Sequence, residues 1–336
     1  VTDIPAPKKS APKKRGKVEL KGRLPAVEPG KPPREKSMTP AEVRAKAEHL
    51  LRDNRSNERY QVFELLYEFV ALTEDQLFRL VEEKIAVSEG YDSFARSVRN
   101  YRERDDMIAR VPPTLMREAK RAGLNHRRTH TRSRAWVLDA VGEDMARLAF
   151  TTEDNPVPLA NTGSDAHRVH DLLCSEVMLR MREAWAAKKI TAETRGTNKV
   201  AIWEDKEEGG KGAFLIVPDG LLIKYKPDES VERAYLVEFH YAPLGGEVKK
   251  KIQKYERIGK PENAWLWDDH WSLSEMPFVL VIYRHAKTLR RYQEELARHY
   301  SDIEPHCSYL SLDLQEVWNG NPLAIKPLRV RKEKKG

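Results

Sequence analysis

The sequence predicts an α+β chain with two folded parts, helical first and α/β second. Three observations carry this expectation. Apolar residues recur at helical spacing from about residue 38 to 103, and strand-like apolar runs alternate with helical segments over 167–318. Between them, residues 151–166, "TTEDNPVPLANTGSDA", are rich in turn formers and poor in core formers, which marks a linker. A chain of 336 residues with 40% hydrophobic content can fill two packed cores.

Residues 1–37 are dominated by Pro, Lys and Ala and are expected to form a disordered basic arm. Order is predicted to begin at "SMTPAEVRAKAEHLL", where Ser37 or Thr39 can cap a helix and Pro40 suits its first turn. Val62, Leu65, Leu66 and Phe69 form the stripe of a second helix, and a break follows near Ala71–Thr73. Thr73 then caps a third helix with Leu77, Leu80 and Val81 inward, and "YDSFARSVRNYRERDDMI" continues after a turn at Gly90. Short helices with tight joints have the form of a helix-turn-helix, and "MIARVPP" and "SRAWVLDAV" supply a two-stranded wing. The expected domain is therefore a winged helix-turn-helix over 38–150.

From residue 167 the order reads helix "HRVHDLLCSEVMLRMREAWAAKK", strands "KVAIWED", "AFLIVPDGLLIKY" and "AYLVEFHYA", then helix "GEVKKKIQKYERIG", strand "PFVLVIYR", helix "AKTLRRYQEELARHY" and strand "SYLSLDL". A meander followed by helical crossovers implies a mixed sheet with helices on both faces over 167–318, and a basic tail closes the chain at 319–336.

Charge placement suggests a partner. Residues 1–37 carry 11 Lys/Arg against 4 Asp/Glu and residues 326–336 carry 6 against 1, so the body between them is mildly acidic although the chain is +8 overall. Basic tails suit a polyanion, because each neutralised phosphate releases a counterion. Inside the folded part, Arg117–Arg134 holds seven Lys/Arg and one acid, Glu118. The expected DNA contacts are Arg96, Arg99, Asn100 and Arg102 on the reader helix and Arg127, Arg128, Arg132 and Arg134 on the wing, since Arg and Asn match guanine and adenine edges. Cys174 and Cys307 have no CxxC spacing, which argues against a disulfide framework or a zinc ribbon. His126 and His130 lack a third ligand, so they add to the basic wing instead of binding zinc. The N-terminus lacks the apolar region of a secretory signal, and no long apolar run is present, so the expected setting is cytoplasmic with no membrane partner.

The chemistry-bearing candidates are two acids. Asp219 lies in "VPDG", and Glu238, on the following strand, lies in "LVEFH". If the strands pair as a hairpin, the carboxylates meet at one end of the sheet, where a hard divalent cation would find oxygen ligands. Glu176, on the preceding helix, is the expected third carboxylate. The duller readings are a Pro-Asp-Gly turn for Asp219 and a structural pair with Lys251 for Glu238, a residue too apolar in its surroundings to stay unpartnered. Trp265, Trp267 and Trp271 could stack on bases, although packing is the commoner use.

"PD", an 18-residue gap and "E-x-H" resemble the PD-(D/E)xK nuclease signature. More specifically, "RAWVLDAVGEDMARLA", "HDLLCSE", "VPDG", "YLVEFHY", "KIQKY" and "PFVLVIYRHAKTLRRYQEEL", in that order, resemble the replication-relaxation family of plasmid and mobile-element proteins, which join a winged helix-turn-helix to a nuclease-like domain. The resemblance implies processing of double-stranded DNA, Mg²⁺- or Mn²⁺-assisted phosphodiester hydrolysis with the metal on Asp219, Glu238 and Glu176, and partners within a replication, transfer or transposition complex, a homodimer included. The departure is His240, which stands where the motif has lysine. His240 could serve as base, or Lys251 on the next helix could reach over, with Tyr255 one turn on. The rival expectation is a nuclease fold that has lost cleavage and serves for DNA or partner contact.

Overall fold

Thr73 and Gln76 set the first joint of the fold. The Thr73 hydroxyl accepts the Gln76 backbone N–H at 3.1 Å and the Gln76 side chain accepts the Thr73 N–H at 2.8 Å. This reciprocal cap starts a helix immediately after a short strand, with Val70 at φ 65° turning the chain into that strand. The computed structural model describes residues 38–53, 58–84, 90–124, 134–150, 165–204, 213–241, 248–300 and 305–328. The expected basic arm, Arg127, Arg128 and Arg132, most of the expected linker and the last residues of the tail lie outside the described residues.

The N-terminal half contains helices α1 (Pro40–Asp53), α2 (Glu58–Phe69), α3 (Glu74–Lys84), α4 (Gly90–Glu103), α5 (Pro113–Arg121) and α6 (Ala140–Phe150). Strands β1 (Ala71–Thr73), β2 (Ile108–Arg110) and β3 (Ala135–Leu138) form an antiparallel sheet in the order β1-β3-β2. Two elements differ from the sequence expectation. The basic stretch after β2 contains α5, where Leu115, Met116 and Ala119 turn inward and the charged residues turn out. The segment after β3 is α6, which packs on α1.

The C-terminal half begins with α7 (Asp165–Ala186), then β4 (Ala192–Gly196), α8 (Thr197–Val200), β5 (Ile202–Glu204), β6 (Ala213–Ile216), β7 (Gly220–Tyr225), β8 (Val231–His240), α9 (Val248–Ile258), α10 (Ala264–Trp271), β9 (Phe278–Tyr283), α11 (Ala286–His299), β10 (Tyr309–Asp313), α12 (Leu314–Trp318) and β11 (Lys326–Pro327). Six strands form a mixed sheet in the order β11-β10-β9-β8-β7-β4. β8, β9 and β10 run parallel, while β7, β4 and β11 pair antiparallel to their neighbours. The fold is thus mixed α+β, as expected, with a correction at one edge. "KVAIWED" and "AFLIV" pair with each other as a separate two-stranded hairpin, β5 with β6, and the edge of the large sheet is β4. Its sequence, "AETRG", gives no apolar alternation because its buried positions are Thr194 and Gly196, neither of them a large apolar residue.

Alternation along β8 assigns its two faces. Ala234 and Leu236 join a core with Val248, Ile252, Tyr255 and Ile258 of α9, Leu266, Trp267 and Trp271 of α10, and Tyr292 and Leu296 of α11. On the other face Tyr235 stacks on Trp185 of α7, with ring centroids 5.9 Å apart. Gly220 opens β7 because a Cβ there would lie 2.4 Å from Met178 Sδ; its absence lets α7 approach the sheet.

The described residues from Pro40 onward cluster as one compact unit, and polar groups join its halves. Asn198 donates to Tyr67 O at 2.6 Å, Gly196 N–H donates to Glu68 at 3.0 Å, and Gln76 donates to Leu172 O at 2.9 Å. Among the described residues no helix is long and apolar enough to cross a membrane.

Candidate functional site at the end of the six-stranded sheet

Asp219 and Glu238 come together where β7 begins beside β8. The Asp219 backbone N–H donates to Val237 O at 2.9 Å, and its carboxylate accepts the Phe239 N–H at 2.7 Å. Glu238, in register with Val281 at the centre of the parallel strands, points to the face covered by α9 and α11 and is almost wholly buried. The 18-residue spacing therefore closes as a hairpin whose two carboxylates share one end.

Each carboxylate is met by donors of the protein. The Lys251 ammonium bonds one oxygen of Glu238, and the Tyr255 hydroxyl donates to the other at 2.5 Å. Lys251 and Tyr255 stand four residues apart on α9, one turn of the same face. From the opposite face His170 of α7 reaches Phe239 O with Nε2 at 2.9 Å and Asp171 with Nδ1 at 3.1 Å, and its Nε2 lies 3.4 Å from Asp219. Both ring nitrogens face acceptor groups, an arrangement that favours the charged imidazolium. The Asp219 carbonyl accepts the Thr197 hydroxyl at 3.1 Å.

The electrostatics follow from these contacts. Burial works against the charge on His170, but Asp219 and Asp171 outweigh it and hold the imidazole well above its usual range. Burial alone would raise the Asp219 carboxyl; the positive charges of His170 and Lys251 instead hold it well below the usual range. Glu238 is raised by burial despite Lys251. His240 points to the same face as Glu238 and bonds the Tyr292 hydroxyl at 2.9 Å; burial first, and Lys251 second, push it down to about 3. It is neutral at ordinary pH, and a base so weak takes a proton from water poorly.

The structure does not bring Glu176 to this pair. It lies between α7 and α3, where it accepts Arg180 Nε at 2.8 Å and an Arg79 guanidinium nitrogen at 2.9 Å. Arg79 also bonds Glu183 at 2.7 Å and lies 3.3 Å from Asp75. A helix-surface position in the sequence is thus an interior position here, because α3 covers it. This corrects the expected three-carboxylate set. The remaining donors fit a divalent cation poorly as arranged: both oxygens of Glu238 and one of Asp219 are engaged, and among the described residues no group of three His, Cys, Asp or Glu is placed to hold a metal.

Of the expected DNA contacts, Arg96, Asn100 and Arg102 are exposed on α4, opposite the buried Phe94, Ala95 and Val98. Arg99 leans to within 3.8 Å of buried Glu74, whose backbone N–H donates to Arg134 O. Burial raises the Glu74 carboxyl, and the charges of Arg99 and Arg134 oppose the rise. Trp267 and Trp271 are packed, while Trp265 is 56% exposed.

The sequence reading missed the outward face of α9. Val248, Ile252, Tyr255 and Ile258 turn in, and Lys249, Lys250, Lys254 and Arg257 are exposed. Packed beside it, α11 exposes Lys287 and Arg290. The signal was available: in "VKKKIQKYERI" the basic residues occupy the positions that the apolar stripe leaves free. His170 and Asp171 were visible only as part of "HDLLCSE". No family model matches the chain, and no curated protein and no solved structure matches it.

Proposed function

We propose that this chain is a double-stranded-DNA-binding protein of the replication-relaxation kind that its motifs resemble, serving a plasmid or mobile element, and that its nuclease-like α/β half holds DNA without cutting it. One observation carries the reading. Helix α9 turns a basic face to solvent while its single inward lysine, Lys251, neutralises Glu238. Phosphates are met by the outer lysines, and the acid pair that would repel them is compensated from within. The order β1-β3-β2, with α3 and α4 between the first two strands, supports a winged helix-turn-helix, and exposed Arg96, Asn100 and Arg102 suit a reader helix.

Binding is favoured over hydrolysis because the two acids already have protein donors and His240 is a weak base. Mg²⁺ or Mn²⁺ belongs to the rival reading, in which Asp219 and Glu238 shed those donors to hold the ion.

Duplex binding measured against salt, together with nicking of supercoiled DNA in Mg²⁺ or Mn²⁺, tests the proposal. Wild type is expected to bind, and replacing Lys249, Lys250 and Lys254 with Gln is expected to flatten the log–log salt slope by about 0.9 per lost phosphate contact. Binding untouched by the triple change would remove the α9 surface from the account. Metal-dependent nicking that disappears in both Asp219→Ala and Glu238→Ala would establish the rival.

A further inference from the structure

The parallel strands β8, β9 and β10 end in one row, with His240 beside Tyr283 and Tyr283 beside Asp313. In open α/β sheets, ligands bind in the crevice outside the carboxyl ends of such strands. Here that crevice is a cavity of about 250 Å³, walled by Arg284 after β9, Leu314, Gln315 and Trp318 of α12, and Arg121 with Gly123 at the end of α5. It draws on both halves of the protein and stands apart from the α9 face.

Its wall is built, not incidental. The Trp318 indole N–H donates to Ala122 O at 3.2 Å, and the Arg180 guanidinium lies 4.7 Å from the ring centroid. Gly123, at φ 113°, permits this approach: a Cβ there would fall 2.3 Å from Trp318 Nε1. The backbone of Arg284 is anchored by its N–H to His240 O at 3.0 Å. Arg121 and Arg284 are exposed, and among the described residues neither guanidinium is in an ion pair. The nearby acids bond neutral groups and pair with neither arginine. Asp313 accepts the Gln315 N–H at 2.9 Å, Glu316 accepts the Asn321 amide at 3.3 Å, and Glu118 interacts with Tyr241.

From this arrangement we infer that the crevice binds a phosphate monoester. Two guanidinium forks without acidic partners match a dianion, which a monoester becomes near pH 7 and a carboxylate never does. The cavity is smaller than drug-sized sites, which suits a phosphate with little more than its sugar. A free nucleotide and the 5′ end of a nucleic acid present the same group.

Calorimetric titration of the full chain distinguishes these sources, with inorganic phosphate, AMP, and a short single-stranded oligonucleotide carrying either a 5′-phosphate or a 5′-hydroxyl as probes. The 5′-phosphate should improve affinity at least about tenfold over the 5′-hydroxyl, and Arg121→Gln or Arg284→Gln should each erase most of that increment. Lys254→Gln should weaken both oligonucleotides equally and leave the increment intact. AMP binding without an oligonucleotide increment assigns the site to free nucleotides, and the increment without AMP binding assigns it to strand ends. The inference is overturned if wild type binds neither phosphate nor AMP and treats the two oligonucleotides alike, or if both arginine variants keep the full increment.

Discussion

Glu176 and Glu238 are buried to nearly the same degree, yet they stand in different kinds of place. Glu176 sits between two arginines in the joint of α3 with α7, and Arg79 there is only 10% exposed. Glu238 meets a lysine that is 29% exposed, on the sheet face covered by α9, while His170 reaches Asp219 from the opposite face. A fork of fixed donors saturates a carboxylate and locks two helices together. An ammonium on a solvent-facing helix neutralises the charge as a compact point donor. The difference teaches that a buried acid is not by itself a site. What differs is the holder: two arginine forks for Glu176, an ammonium and a phenol hydroxyl for Glu238.

The largest effect expected from breaking this contrast is at Arg79. Arg79→Ala leaves Asp75, Glu176 and Glu183 with one fewer cation in the interior, and a loss of about 3–5 kcal/mol is expected in urea unfolding. Because the joint spans both halves, one shifted transition is expected, not two. Lys251→Met should cost less, about 1–3 kcal/mol, since Glu238 is already raised by burial and can take up a proton. That proton uptake on folding is measurable as a pH-dependent stability difference between the variant and wild type; a cost equal to that of Arg79→Ala would erase the distinction drawn here.

A third test uses pH. His240 is held down to about 3 in the folded protein against an ordinary value near 6.5, so its contribution is fully present above about 6.5 and is lost as pH falls toward 3. Unfolding free energy of wild type should therefore drop more steeply than that of His240→Gln across this window. His170 runs in the opposite sense: its raised value adds stability that is complete below about 6.5 and fades as pH rises through the folded value. The smallest effect is expected at Lys199, whose pairs with Glu64 and Glu68 lie at the rim of the same joint and whose side chain is 34% exposed. Lys199→Ala should cost less than about 1 kcal/mol, and the cost should shrink further in high salt.

Much of the fold was legible because it rests on local rules. Thr73 announces a capped helix, Pro40 a helix start, and the strand runs of β7 to β10 their own burial. β4 was not legible, since its buried positions are Thr194 and Gly196, and α5 was hidden by the density of charge that its outer face carries. At the site, the pairing of Asp219 with Glu238 could be read from spacing plus a hairpin. The sequence also offered Lys251 as the partner of Glu238, and that bond is present; the Tyr255 hydroxyl on the other oxygen was not read, because it depends on how α9 docks on the sheet.

The sequence by itself determined most of the helices, which strands alternate and where charge accumulates, because periodicity and capping act over a few residues. Only the tertiary structure decided what each charged residue meets. It put Glu176 under Arg79 rather than beside Asp219, turned His240 toward Tyr292, and opened a crevice between Arg121 and Arg284. The reason is physical: the partner of a buried charge is chosen by helix docking across long stretches of chain, and no local pattern encodes that distance.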